Sequence, residues 1–297
     1  MATSQPLILP GAGPFALYTV FKVTGDRAAV VKQCQQVHQL VKTLNEQQDA
    51  DLRASIAFGK SFWLGFEQGC PEGLTEFVEL GKGDVTAPAT GGDILLHLNS
   101  SRHDLNFLLL RQFMEPIADQ LEVMDETYGF KYLDARDMTH FIDGTENPST
   151  LEARQDVAVI KDGEFAGGSF VMLQRFVHNL PAWNRLNIQA QEKVIGRTKP
   201  DSVELENVPA ASHVGRVDIK EEGKGLKIVR HSLPYGTVSG DHGLLFIAYC
   251  HTQHNFEVML ESMYGETDGK TDQLLRFTTA VTGAYFFAPS LELLNAL

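Results

Sequence analysis

The stretch "HFIDGTENPST", residues 140–150, sets two acids, Asp143 and Glu146, among turn formers close to the middle of a 297-residue chain. Glycine tolerates positive φ and proline fixes its own, so Asp-Gly and Asn-Pro make this a loop that holds Asp143 beside the apolar pair Phe141 and Ile142. Such an acid either caps a turn in a connector or serves a site. A second stretch, "KIVRHSLPYG" from Lys227, reads as a strand. Alternation then puts Ile228, Arg230 and Ser232 on one side and Val229, His231 and Leu233 on the other. Arg230 and Ser232 are therefore either the polar face of an edge strand or donors aimed at an anion or a polar oxygen in a pocket. The third candidate is His213, set in "VPAASHVGRVD" among small residues that would let a bulky flat ligand approach the backbone.

The remaining nine of the ten histidines are read as polar surface or capped residues. No HExxH spacing occurs, and His251 and His254 have no matching carboxylate or cysteine set for zinc. Absence of a phosphate-binding loop, of GxGxxG after a strand and of GxSxG leaves little support for nucleotide use or serine hydrolysis.

The elements that must position these residues come in two related sets. "FALYTVFKV" from Phe15 and "FVMLQRFVH" from Phe170 both read as strands leading into helical patterns, 155 positions apart. "GDILLHLNSSRHDLNFLLLRQF" from Gly92 and "GLLFIAYCHTQHNFEVMLESM" from Gly243 each give a strand, a polar turn and an amphipathic helix, 151 positions apart. Nearly equal offsets indicate duplication of one α+β unit, with the strand and helix order of a ferredoxin-like fold and antiparallel sheets. The expected domains are residues 1–137 and 138–297. The first is read as ending in one helical stretch, "FLLLRQFMEPIADQLEVMDETYGF", and the loop bearing Asp143 becomes the connection between the halves. "GLLFIAY" is nearly all apolar and should run through the middle of the second sheet.

Composition narrows the partners. A formal charge of -13 opposes binding to nucleic acid or an anionic membrane surface. The N-terminal "MATSQPLILPGAGPF" is a poor secretory signal and no window approaches a membrane span. Cys34, Cys70 and Cys250 lack metal or redox spacing, which fits packing roles in a reducing cytoplasm.

Together, "FIDGTENP", "ASHVGR" and "IVRHSLPYG", with the late "DQLLRFTTAVTGAYFFAPS", resemble the dye-decolourising peroxidases, particularly the bacterial YfeX-like group, over nearly the whole chain. The resemblance implies two ferredoxin-like domains of the dimeric α+β barrel type. It implies haem b (iron protoporphyrin IX), one per chain, held in the second domain, and oxidation of dyes and small aromatic compounds by hydrogen peroxide through a ferryl intermediate. It makes His213 the proximal iron ligand, Asp143 the distal acid and Arg230 the distal arginine, with Ser232 where many relatives carry asparagine. A homo-oligomer is also implied. One departure is His140, which stands in place of the family motif's first glycine and would bring a second titrating group to the distal side. Asp272 is the candidate carboxylate behind His213, against a plain helix-capping role. Trp63, Trp183, Tyr235, Tyr249 and Tyr285 are read as packing rather than as electron relays. The alternatives are a haem carrier or sensor and a haem iron-releasing protein.

Overall fold

The computed structural model describes residues 2–297. In the first half, β1 (Phe15–Val23), β2 (Arg53–Phe58), β3 (Ile94–Ser100) and β4 (Leu121–Phe130) lie side by side in the order β4-β1-β3-β2. They are strands because alternate residues face two apolar environments. Ala16, Tyr18 and Val20 belong to one buried cluster, Leu17 and Phe21 to another. The outer face is covered by α1 (Arg27–Gln48) and α2 (His103–Met114). Asp26 starts α1 by accepting from the Ala28 and Ala29 amides, and the stripe Val30, Cys34, Val37, Val41 and Leu44 packs inward.

The stretch expected to continue as helix to Phe130 does not. The α-helix ends at Met114, a 3-10 turn covers Glu115–Gln120, and residues 121–130 form β4. Pro116 lacks an N–H to continue the helical ladder, and the acids of β4 fall on both faces, Glu122 and Glu126 exposed and Asp125 paired with Arg175 at 2.8 Å, which disguises the strand period.

The second half contributes β5 (Ser169–His178), β6 (Val229–Arg230), β7 (Leu233–Gly236), β8 (His242–Cys250), β9 (Thr278–Ala280) and β10 (Ala284–Ala288). Here the order is β7-β8-β5-β10, the first half's pattern read from the other end. The sheets of the two halves are one. β7 pairs β4 at Tyr235 and Gly129, β10 pairs β2 at Phe287 and Phe58, and β5 with β8 completes a closed antiparallel barrel. "GLLFIAY" does lie centrally, in β8 between β5 and the β6 and β7 segments. Inside the barrel sit Tyr18, Leu95, Val171, Leu173, Ile247, Tyr249 and Phe286, plugged by Leu7 and Ile8.

Three histidines read as surface groups are buried, His97, His178 and His231; His97 bonds the Tyr249 hydroxyl at 2.9 Å and His231 the Ile8 carbonyl at 2.9 Å. His97 faces the barrel interior and His178 the covered outer face of β5, and in all three hydrogen bonds offset desolvation. Cys34 and Cys250 are packed as expected, whereas Cys70 is exposed. The five aromatic residues read as packing are all buried. Among the described residues no helix is long and apolar enough to cross a membrane.

Candidate haem site

On the outer face of the second half lies a cavity of about 540 Å³. Met172, Gln174 and Phe176 of β5 and Leu244 and Phe246 of β8 form one wall. The opposite wall comes from α5 (His213–Val217) and from Met259, Leu260 and Met263 of α6 (His254–Met263).

His213 begins α5, which Ser212 caps by accepting from the Gly215 amide. The His213 Nδ1 lies 2.7 Å from Asp272 Oδ2, and Asp272 is wholly buried. The other Asp272 oxygen accepts from the Leu274 amide at 2.9 Å, so the capping and histidine-supporting roles coexist. With Nδ1 occupied, Nε2 is the ring nitrogen free to ligate. Of the small residues around His213, only Val214 lines the cavity, and the others serve a different purpose from the one expected. A Cβ on Gly215 would stand 2.4 Å from the Pro209 carbonyl, and residues 209–212 do not line the cavity. They allow a tight loop to pack on itself.

Arg230 and Asp143 enter from the sheet side. The Arg230 guanidinium lies 3.3 Å from Asp143 Oδ1, and both side chains are about one-fifth exposed. The Asp143 oxygen also accepts from the Gly144 amide at 2.7 Å. What brings the central loop to this strand is Asn147, whose side chain accepts from the Arg230 amide at 2.8 Å and donates to the Arg230 carbonyl at 3.0 Å. This amide acts as one further rung beside β6, which pairs only with β8. Ile228 and Arg230 both line the cavity, as alternation requires, but Ser232 does not. Its hydroxyl instead receives the Ile247 amide at 3.2 Å, in the gap between β6 and β7.

His140 adopts φ 69°, the left-handed conformation the motif's glycine would supply. It is exposed, contacts Tyr132 at 3.2 Å, and does not line the cavity, so no second titrating group reaches the distal side from this position. Three residues farther back, however, a largely buried pair does line it. Asp137 Oδ1 meets His178 Nε2 at 2.9 Å, and His178 Nδ1 meets the Thr278 hydroxyl at 2.7 Å. Burial opposes the Asp137 charge, but the facing imidazole and the Thr139 hydrogen bonds outweigh it and carry the carboxyl down to about 2.

The mouth is charged. Arg197 bonds Glu146 and the Ser202 carbonyl, with Glu204 at 3.6 Å, while Lys227 reaches Glu146 at 3.2 Å. The hydrogen bond from Lys227, aided by Arg197, lowers the Glu146 carboxyl. His213, Asp143 and Arg230, singled out by the sequence, all line this cavity with Asp272 bonded to His213, and Asn147, Asp137, His178 and Arg197 are unexpected additions around them. Only Asn147 carried a signal, its place in the quoted loop, and it was absorbed into the turn.

The arrangement defines an α+β barrel protein with an apolar cavity on one outer face, a carboxylate-backed histidine with Nε2 free on one wall and an arginine–carboxylate pair on the other. Residues 5–131 match the N-terminal family model of Dyp-type peroxidases and residues 134–293 the C-terminal one. The chain belongs to the Dyp-type peroxidase family. It is 38% identical over 300 residues to a dye-decolorizing peroxidase of Mycolicibacterium paratuberculosis, covering 98% of this chain and 84% of the other. Among solved structures it is similar to a dye-decolorizing protein from V. cholerae, with TM-score 0.97, 68% identity and 99% of each chain covered. A Rhodococcus jostii DypB variant in complex with heme has TM-score 0.94 at 34% identity, again with 99% of each chain covered.

The residues present fit a haem. The cavity volume lies within the range of about 300–1,000 Å³ usual for sites that enclose small molecules and cofactors. Its walls are apolar, Gln174 Nε2 is buried there without a partner, and Arg197 and Lys227 supply cations at the mouth for carboxylates. His213, with Asp272 on Nδ1 and Nε2 free, suits an iron held by a macrocycle.

Proposed function

We propose that this protein is a haem peroxidase that uses hydrogen peroxide to oxidise dyes and small aromatic compounds. The observation that carries the reading is the pairing of two opposed walls, His213 backed by buried Asp272 on one and Arg230 against Asp143 on the other. Bound haem would supply a redox-active iron. His213 Nε2 would hold that iron, and Asp272, which accepts the Nδ1 proton, fixes the tautomer and would make the imidazole a stronger donor.

On the sheet side, Asp143 accepts the proton of one peroxide oxygen and returns it to the other, directly or through one water. General acid–base help of this kind is worth about 10²–10⁴ in rate. The Arg230 guanidinium binds peroxide and stabilises negative charge on the departing oxygen. Its side chain is held at one end by the Asn147 clamp on its own backbone, so the charge is pre-positioned. Ser232 contributes through the backbone, by holding the bend after β6. Phe246 and Leu244 keep bulk water from the reacting oxygens.

The cofactor is taken as haem b, one per chain, a reading supported by the apolar cavity of the second half that holds His213. The strand orders β4-β1-β3-β2 and β7-β8-β5-β10 support reading residues 1–137 and 138–297 as two ferredoxin-like units that pair their sheets. A cytoplasmic, homo-oligomeric protein completes the reading, supported by the reduced cysteines. The carrier and iron-releasing alternatives need His213 but give no role to Asp143 and Arg230.

Rapid-mixing absorption spectra test this directly. Haem-loaded protein should change spectrum on mixing with hydrogen peroxide and recover on adding a dye that is bleached in the same step. Haem bound through His213 with a spectrum indifferent to peroxide would establish the carrier reading instead.

A further inference from the structure

We infer that His178 is a positioning residue for the distal acid, acting through Asp137; the inference rests on the peroxidase reading above. Asp143 ends a tight hairpin. The Asp137 amide donates to the Phe141 carbonyl at 2.9 Å, the His140 amide to the Asp137 carbonyl at 2.8 Å, and the Asp143 amide to the Ala135 carbonyl at 3.0 Å. Within this hairpin Asp137 Oδ2 accepts from the Thr139 amide at 2.8 Å, closing the turn. Its Oδ1 is left for His178 of β5 at 2.9 Å.

His178 is therefore the one side chain that ties this carboxylate to the barrel wall. Its own ring is fixed on the far side by Thr278 of β9 at 2.7 Å. Trp183, in α3 (Leu180–Trp183), adds a second contact by donating to the Thr139 carbonyl at 3.1 Å and packing edge-on to Phe141. The row Thr278–His178–Asp137–Thr139 runs along the cavity wall from the sheet to the turn. A four-residue turn on the surface of a sheet has little stiffness of its own. Tethered to β5 through a buried imidazole, it holds Asp143 Oδ1 at a set distance from the Arg230 guanidinium, which the Asn147 clamp fixes independently.

This arrangement makes a specific demand on the energetics. If His178 acts only by placing Asp143, its removal matters only while Asp143 is present, and the two substitutions must be non-additive. A displacement of about 1 Å at a reacting group can cost roughly 10²-fold in rate. His178→Ala is accordingly expected to slow the peroxide reaction of the haem-loaded protein by about 10- to 100-fold. His178→Gln, which keeps one amide donor toward Asp137, should recover most of the loss. In Asp143→Ala the further change His178→Ala should cost little.

The experiment is a double-mutant cycle on the rapid-mixing rate with hydrogen peroxide, using wild type, His178→Ala, Asp143→Ala and the double variant. Hydrogen exchange of the 137–144 amides is followed in the same proteins without haem. The positioning role predicts faster exchange at Asp137, His140 and Asp143 in His178→Ala and unchanged exchange in Arg230→Ala. Rates that multiply in the double variant, or 137–144 amides no more open in His178→Ala and His178→Gln than in wild type, overturn the inference while leaving the peroxidase reading intact. A wild-type protein that ignores peroxide removes the peroxidase reading and this inference with it, whatever the exchange data show. Should His178→Ala fail to fold, Thr278→Val, which removes only the outer hydrogen bond of the ring, gives the same comparison with a smaller expected effect.

Discussion

Leu17, Thr19 and Phe21 of β1 stand 155 positions before Met172, Gln174 and Phe176 of β5, and the two sets meet different fates. The first three lie under α1 and α2 and none is exposed. The second three line a cavity. The strands are alike, so the difference lies in the segments that cover them. After β1 comes a single helix of 22 residues. After β5 come α3, the eight-residue α4 (Ile188–Ile195) and a long loop that ends in the five-residue α5. Short helices cannot tile a sheet as one long helix does. Interrupting the cover of one half creates the cavity while the other half keeps the barrel folded.

Breaking this contrast at its strongest point means removing the ligand. His213→Ala should abolish normal haem ligation, read from the absorption spectrum of haem-loaded protein, while the thermal transition of the haem-free protein stays close to wild type. Next in size, Arg230→Ala should slow the reaction with hydrogen peroxide by about 10²–10³, as loss of a charge-stabilising donor does elsewhere. Asp143→Ala should cost about 10² or more, varying with pH and with the reductant used, measured in the same rapid-mixing experiment.

The barrel interior, shared by both halves, sets the acid response. Burial lowers His231 to about 4, so its neutral form is favoured in the folded state. A group whose folded pKa is depressed contributes stability above its unfolded value, near 6.5, and loses that contribution as pH falls toward 4. Denaturant titrations at a series of pH values should show roughly 3 kcal/mol lost over this window from His231 alone. His97, lowered by burial and by the nearby His231, adds to the loss with the same sign. The smallest effect sharpens the comparison most. Leu17→Ala, in a filled core, should cost about 2–5 kcal/mol, and Met172→Ala, beside an existing cavity, less than half of that.

Much of this was legible in the sequence because it rests on local chemistry. His213, Asp143 and Arg230 lie in short stretches whose turn and strand signals are strong, and the duplication is visible in the matched strands. The C-terminal end of the first half is not legible because β4 carries acids on both faces, exposed Glu122 and Glu126 and ion-paired Asp125, and Pro116 marks a boundary that apolar periodicity passes over. Asn147, Asp137 and His178 were hidden for another reason. Their roles depend on partners 83 and 41 positions away, and no spacing rule encodes such distances. Ser232 was grouped with Arg230 by alternation, which fails where the strand bends between β6 and β7.

The Asn147 clamp has a consequence outside the active centre. A two-residue strand such as β6 would leave one amide and one carbonyl of Arg230 open on its outer side, a template on which another polypeptide could add itself as a further strand. Because both groups are already engaged by one side-chain amide, that border offers nothing to an incoming chain. The residue that seats the guanidinium thus also closes a strand border.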